Sequence, residues 1–213
     1  TYDPNDINAW SGTVFHMQQA LIKSGLEVVA KGNLDTDNWI TFIKGAVYGR
    51  VFKKIYFTCF EPSIQKKFAQ QIDGFLENHD CDVVFSPRSV AISRLKTQKP
   101  IVFWPDATFA GLLDFHPGTF NFCEETIKNG NKAEQMALSK SRLALYSSEW
   151  AANSAKEYYD VNPEKIRVVP FGANFISNQN INNLQRILKE KNFDICKLLF
   201  VAKNGIGKAL ILQ

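Results

Sequence analysis

Four short apolar runs, each followed by turn residues, constrain the fold of this chain more than any other feature. They end near Ser86, Trp104, Tyr146 and Val169, and helical patterns lie between them. Short runs rich in β-branched and aromatic residues are typical of parallel strands that are buried on both faces. A strand, a helix and a second strand in succession form a right-handed crossover. The pattern predicts an α/β fold with a Rossmann-like parallel sheet flanked by helices.

The segment PIVFWPDATFAG, residues 100–111, is the most informative of the strand ends. An apolar strand ends at Trp104 and a helical pattern begins near Phe109, so Asp106 and Thr108 lie at a strand-to-helix junction. Open α/β sheets bind ligands at this edge, because side chains and free backbone N–H groups from several strands converge there. The alternative is structural: Asp106 or Thr108 caps the helix that follows.

Three other junctions have the same character. The turn Ser11–Thr13 enters a helix through small residues, which leave backbone N–H groups free for a ligand or simply begin that helix. The segment Ser147–Trp150 follows the third run, with hydroxyl caps and an early glutamate. The segment Gly172–Asn174 follows the fourth run. We expect these junctions to lie along one rim of the sheet and to form half of a cleft.

Composition excludes some classes of function. Of the 213 residues, 45% are hydrophobic and 22% are charged, an ordinary balance for a globular domain. The net charge of +4 is too modest to suggest a nucleic-acid partner. No signal-peptide pattern opens the chain, and its cysteines lack paired metal spacing, so we expect reduced thiols in a cytoplasmic protein. The four cysteines are Cys59, Cys81, Cys123 and Cys196.

Basic residues cluster around an aromatic-rich segment in the first third of the chain. They are Arg50, Lys53, Lys54, Lys66 and Lys67. One interpretation is a weak patch for an anionic ligand or for contact with a membrane surface. The other, which we favour from the sequence, is a solvated helix face.

Local patterns give further expectations. Leu26–Ala30 resembles a strand, residues 51–60 are ambiguous between helix and strand, and a helix over 121–140 is open to interruption at 128–131. His116 stands in a proline-glycine turn, where a loop residue is expected. Residues 174–183 are polar and resemble a linker, and Leu198–Val201 resembles the first strand of another domain.

The junctions taken in order resemble the N-terminal half of family 4 glycosyltransferases, the group 1 glycosyltransferases. The resemblance rests on the run from Asn8 to Thr13 and on the segments WPDATFAG, YSSEWAA and VVPFGAN, and it covers residues 3 to 201. It implies a GT-B fold, in which two Rossmann-like domains face each other across a cleft. Residues 1–174 would be the acceptor-side domain, and residues 175–213 would be a linker and the start of a donor-binding domain.

The resemblance also implies the chemistry and the site. The family transfers a sugar from a nucleotide-sugar donor to an acceptor, with retention and without a metal, so the donor is a co-substrate and no cofactor is expected. Asp106 matches a position where members often place a catalytic-centre histidine or aspartate. The other candidate substrate-binding residues are Ser11, Gly12, Thr13, Thr108, Ser147, Ser148, Glu149, Trp150, Gly172 and Asn174.

The sequence departs from the family pattern in two places. The first strand is reduced to Thr1-Tyr2, and the basic Arg/Lys pair and Glu-x7-Glu motif of the donor-binding domain are absent. Because the leaving diphosphate needs positive charge, we expect a truncated enzyme that does not catalyse transfer alone and requires a missing C-terminal domain. The alternative is a non-catalytic module that binds a sugar or acceptor. An unrelated doubly wound domain, such as a flavodoxin-like or nucleotide-binding protein, is disfavoured, because no Gly-rich loop of the G-x-G-x-x-G type is present.

Overall fold

The computed structural model describes residues 3–115 and 117–174, together with residues 185, 186, 188 and 189. The two long ranges belong to one compact unit, Thr1–Asn174, and the remainder is assigned to a second unit, Phe175–Gln213. Our expectations for His116, for the linker, for Cys196 and for a strand at Leu198–Val201 lie outside the described residues.

Three helices come first in the described unit, and four strands follow, each separated from the next by one or two helices. In chain order the elements are α1 (Thr13–Lys23), α2 (Trp39–Arg50), α3 (Pro62–Glu77), β1 (Val84–Ser86), α4 (Ser89–Ile92), β2 (Ile101–Phe103), α5 (Phe109–Leu112), α6 (Glu124–Lys140), β3 (Leu143–Tyr146), α7 (Glu149–Tyr158) and β4 (Ile166–Val168). Short 3₁₀ turns occupy Ala9–Gly12, Thr58–Phe60, Pro117–Thr119 and Pro163–Lys165. Of the described helices, none combines the length and the apolar composition that crossing a bilayer requires.

The four strands form one parallel sheet in the order β1-β2-β3-β4. Val84 pairs with Ile101, Phe103 with Ala144, and Ala144 with Ile166. All four carboxyl ends therefore lie at the same edge of the sheet. The prediction of a Rossmann-like α/β fold with a parallel sheet flanked by helices is confirmed.

The larger of two buried apolar clusters lies on one face of this sheet. Phe103 and Tyr146 on that face are fully buried, and they pack with residues of α4, α6 and α7 in a single apolar cluster. Helix α7 contributes only alanines to the cluster, Ala151, Ala152 and Ala155, whose small side chains let its backbone approach the sheet closely. The other face carries side chains that are only half-buried: Phe85, Val102, Leu143 and Leu145.

Two local expectations are corrected by the structure. Leu26–Ala30 forms no strand, and the side chains of Leu26 and Val29 are both 54% exposed, because no segment among the described residues pairs with this stretch. Helix α6 runs without interruption through residues 128–131. The ambiguous segment 51–60 makes one isolated bridge, between Ile55 and Phe122, and then the 3₁₀ turn at Thr58–Phe60.

Candidate functional site at the carboxyl ends of the strands

The turn that enters α1 has a strained backbone. Trp10, Ser11 and Gly12 all adopt left-handed conformations, with φ of 47°, 54° and 80°. Such a conformation costs a non-glycine residue roughly 1–2 kcal/mol, so the surrounding structure must hold the turn in place. A Cβ at Gly12 would lie 3.1 Å from the Ile7 carbonyl oxygen and 3.2 Å from His16 Cδ2, which makes glycine necessary there.

Asn174, the last residue of the unit in sequence, holds this turn by hydrogen bonds. Its Nδ2 donates to the Ser11 carbonyl oxygen at 3.1 Å and to Thr13 Oγ1 at 3.0 Å. The Trp10 ring meets the Phe171 ring edge-on, with centroids 6.2 Å apart. Residues more than 160 positions apart in sequence are thus joined where the chain leaves β4.

Trp104 connects the Trp10–Phe171 contact to the ends of the other strands. Its backbone N–H donates to the Ser86 carbonyl oxygen at 2.9 Å, and its indole Nε1 donates to the Val169 carbonyl oxygen at 2.9 Å. Its ring also contacts the Phe171 ring, at 5.3 Å between centroids. The ends of β1, β2 and β4 therefore meet around one aromatic side chain.

Asp106 lies at the end of β2, beside the end of β3. Ser147 Oγ donates to the Asp106 carbonyl oxygen at 3.3 Å, and the Ser147 N–H donates to the Pro105 carbonyl oxygen at 3.3 Å. Desolvation raises the pKa of the Asp106 carboxyl, although hydrogen bonds from its own and the Ala107 N–H and the charge of Arg88 act in the opposite direction. Asp106 is exposed as a residue, although the environment of its carboxyl is partly desolvated.

Two charged or titratable residues at this rim were missed by the sequence analysis. Arg88 follows β1, with its backbone fixed by Ser86, whose Oγ donates to the Arg88 carbonyl oxygen at 2.8 Å and accepts from the Arg88 N–H at 3.2 Å. His16 lies one helical turn after Gly12, against that glycine. Arg88 could have been found, because it follows an apolar run as the other candidates do. His16 carried no separate signal.

Thr108 is a correction to the predicted set. Its side chain is fully buried, and its Oγ1 accepts from the Gly111 N–H at 2.9 Å and shares a 2.6 Å hydrogen bond with Ser154 Oγ. A hydroxyl that caps α5 inside the core is not available to a ligand. Thr108 therefore has the structural role that was the alternative to ligand binding: it caps α5.

The remaining predicted site residues lie near the rim and differ in their exposure and in the contacts they make. Ser148 caps α7 by accepting from the Ala151 N–H at 3.3 Å and stays half-exposed. Glu149 and Trp150 are exposed on the first turn of α7, and the Trp150 ring packs against Phe115 rather than against the Trp104 group. Gly172 is exposed, and a Cβ there would meet nothing within 4 Å, so close backbone packing does not require this glycine.

Comparison with family models, with curated proteins and with solved structures found no match for this chain. The described residues include no group of three or more histidine, cysteine or acidic side chains placed to hold a metal ion. The chemistry of the rim must therefore be judged from its own side chains.

The rim has the groups that a polyhydroxylated ligand needs. It offers the Ser147 hydroxyl, the Asn174 amide oxygen and the Asp106 carboxylate, of which the hydroxyl can donate as well as accept hydrogen bonds. It adds the half-buried rings of Trp104 and Phe171, on which the C–H face of a sugar ring can pack. The Asp106 carboxyl, whose pKa is raised by desolvation and opposed by the charge of Arg88, suits proton transfer to or from a hydroxyl group.

Proposed function

We propose that the described unit is the acceptor-side half of a retaining, nucleotide-sugar-dependent glycosyltransferase of carbohydrate biosynthesis. The observation that carries the proposal is the contact of Asn174 with Ser11 and Thr13. It brings the first and last of the four junction motifs together at the edge where Asp106 and Ser147 also meet. The order of these motifs resembles that of family 4 glycosyltransferases, and this geometry is what such a cleft wall requires.

Each rim group has a role in this proposal. Asp106 orients the acceptor hydroxyl and accepts hydrogen bonds from it, and desolvation raises the pKa of this carboxyl and so increases its affinity for a proton. Arg88 and the N-terminal end of α1, which follows the turn at Ser11 and Gly12, supply positive potential toward the negatively charged donor. The donor's nucleotide would be held by a facing domain. A cytoplasmic location fits the unpaired Cys59, Cys81 and Cys123.

Calorimetric titration of the full chain tests this assignment. The titrants are methyl glycosides of glucose, galactose and mannose and, separately, UDP- and GDP-sugars. We expect a glycoside to bind, Asp106→Asn to weaken that binding roughly tenfold through loss of charged hydrogen bonds, and the nucleotide sugars to bind very weakly. Asp82→Asn, at the opposite end of the sheet just before β1, is the matched control and should leave the affinity unchanged.

Equal affinities of the Asp106→Asn and Asp82→Asn variants would remove Asp106 from the site. Rapid sugar transfer by the chain alone would contradict the expectation that it needs a donor domain. Glycoside binding that is insensitive to Asp106 but sensitive to Asn174→Ala would favour the alternative, a module that binds a sugar without reacting it.

A further inference from the structure

Helix α2 exposes apolar side chains on one side. Trp39 is 73% exposed and Phe42 is 80% exposed. The exposed apolar residues of the helix and of the segment after it are Trp39, Ile40, Phe42, Ile43, Val47, Val51, Phe52, Ile55 and Phe57. We call this set the α2 face. An apolar surface of this extent next to solvent indicates a binding surface.

The opposite side of α2 is fixed to the rest of the unit by polar contacts. Thr41 is buried, with its Oγ1 donating to the Asn38 carbonyl oxygen at 2.7 Å. Lys44 Nζ bonds Glu61 at 3.1 Å and Glu125 at 2.5 Å, and Tyr48 donates its hydroxyl proton to Glu125 at 3.1 Å. Positions 41, 44 and 48 share one side of a helix, whereas 39, 43 and 47 share another. The helical residues of the α2 face are therefore turned away from the anchored side.

Positive charge predominates around the α2 face, although the exposed Asp37 lies at its N-terminal end. Between Asp37 and Glu61 the sequence contains no acidic residue. Of the basic residues in this interval, Lys44 is neutralised by its two glutamates. The other three, Arg50, Lys53 and Lys54, are exposed and form no ion pair with the described residues. Lys67, which the sequence analysis grouped with them, instead pairs with Asp35.

We propose that the α2 face docks onto an anionic lipid surface, with α2 lying in the plane of the membrane interface. Bulky apolar side chains enter the boundary between headgroups and acyl chains, and the three cations contact anionic headgroups. The helix has 12 residues, a length of roughly 18 Å, which suits a helix lying on a bilayer and not one crossing it. A second copy of the chain is a poorer occupant, since a symmetric contact would bring two sets of three cations together.

Flotation of the full chain with lipid vesicles tests the proposal. We expect binding to vesicles that contain phosphatidylglycerol, weak binding to pure phosphatidylcholine vesicles, and release from the anionic vesicles at high salt. The triple variant Arg50→Gln, Lys53→Gln, Lys54→Gln should bind the anionic vesicles roughly 100-fold more weakly, because each cation near the surface contributes about fivefold. The variant Trp39→Ser, Phe42→Ser should lose binding to a similar extent.

Matched controls separate this surface from general charge and hydrophobicity. The triple variant Lys23→Gln, Lys31→Gln, Lys156→Gln removes the same number of exposed cations elsewhere, and Trp150→Ser removes an exposed tryptophan from α7. Both should float like the unchanged chain. Circular dichroism of every variant checks that it remains folded.

Three outcomes would overturn the proposal. One is equal binding to neutral and anionic vesicles, and another is an equal loss in the control variants. The third is sedimentation equilibrium that shows a dimer broken by Phe42→Ser while no variant or parent chain floats, which would assign the α2 face to a second copy. Because this test measures no sugar binding, its result is independent of the proposed glycosyltransferase function.

Discussion

At the scale of single residues, two buried tyrosines differ in whether their hydroxyl groups are satisfied. The Tyr146 hydroxyl makes no hydrogen bond among the described residues, although the side chain is fully buried. The Tyr159 hydroxyl donates to Asn131 Oδ1 at 2.8 Å and accepts from the Ala110 N–H at 3.0 Å. An unsatisfied buried hydroxyl is costly, whereas a satisfied one stabilises the fold.

Replacing each tyrosine with phenylalanine should therefore have opposite effects. We expect Tyr146→Phe to raise the free energy of unfolding by about 1 kcal/mol and Tyr159→Phe to lower it by about 1–2 kcal/mol. Urea denaturation followed by circular dichroism measures both. A loss of stability in Tyr146→Phe would mean that its hydroxyl has a partner in solution.

Glu134 is the other residue whose burial has a measurable consequence. It is 2% exposed, Ser89 donates its hydroxyl proton to one carboxylate oxygen, and the other oxygen has no partner among the described residues. Burial raises the pKa of the carboxyl from 4.5 to about 7, although Ser89 and the charge of Arg88 oppose this. The folded state therefore binds the proton more tightly than the unfolded state does.

Stability should accordingly fall as the pH rises through this interval. We expect roughly 3 kcal/mol to be lost between about pH 4.5 and 7, and Glu134→Gln to abolish most of that dependence. Glu124→Gln, at an exposed position of the same helix, should retain it. Denaturation midpoints measured across this pH range decide the matter, and parallel curves for the parent chain and Glu134→Gln would contradict the assignment.

At the scale of elements, the packing of α5 on α6 depends on Gly130. A Cβ at this position would overlap the ring of Phe109, which is itself buried against Phe60 and Phe122. Sequence pattern treated the glycine as an interruption of the helix, because glycine has a low helix propensity. In the structure, α6 continues through Gly130, and the missing side chain leaves room for the Phe109 ring.

Gly130→Ala should thus destabilise the protein in spite of the better propensity of alanine. We expect a loss of about 1–3 kcal/mol from overpacking. Gly74→Ala in α3, where a Cβ would meet nothing within 4 Å, should instead gain about 0.5–1 kcal/mol. Thermal denaturation of the two variants compares them directly, and a gain in both would show that Phe109 moves aside freely.

The sequence predicted best those elements whose secondary structure is determined by the local pattern of residues. The four apolar runs became β1 to β4, because short runs rich in β-branched and aromatic residues between turn residues are typical of buried strands. Leu26–Ala30 has the same local pattern but forms no strand, because a strand requires a partner that the pattern cannot supply. Within one junction, the pattern also could not distinguish the exposed Asp106 from the capping Thr108, since the path of the turn decides which side chain faces outward.

At the scale of the whole unit, the rim exists because the first and last segments of the described chain meet. Asn174 provides the hydrogen bonds of this closure, and the strained turn at Trp10–Gly12 depends on it. Sequence order alone predicted that these segments share one edge, since all parallel strands end there. It could not predict that an amide side chain would join them, because the contact spans more than 160 residues.

Removing this side chain should loosen the turn more than it unfolds the unit. We expect Asn174→Ala to lower the free energy of unfolding by about 1–2 kcal/mol and to speed hydrogen exchange of the Thr13 amide, which is bonded to the Trp10 carbonyl oxygen. Asn174→Asp should do at least as much, because a carboxylate cannot donate to the Ser11 carbonyl oxygen. Asn162→Ala, which removes a local cap at Glu164, should leave that exchange unchanged. If the Thr13 amide exchanged equally slowly in all three variants, the turn would be held by the contact of Trp10 with Phe171, and the closure would be aromatic rather than polar.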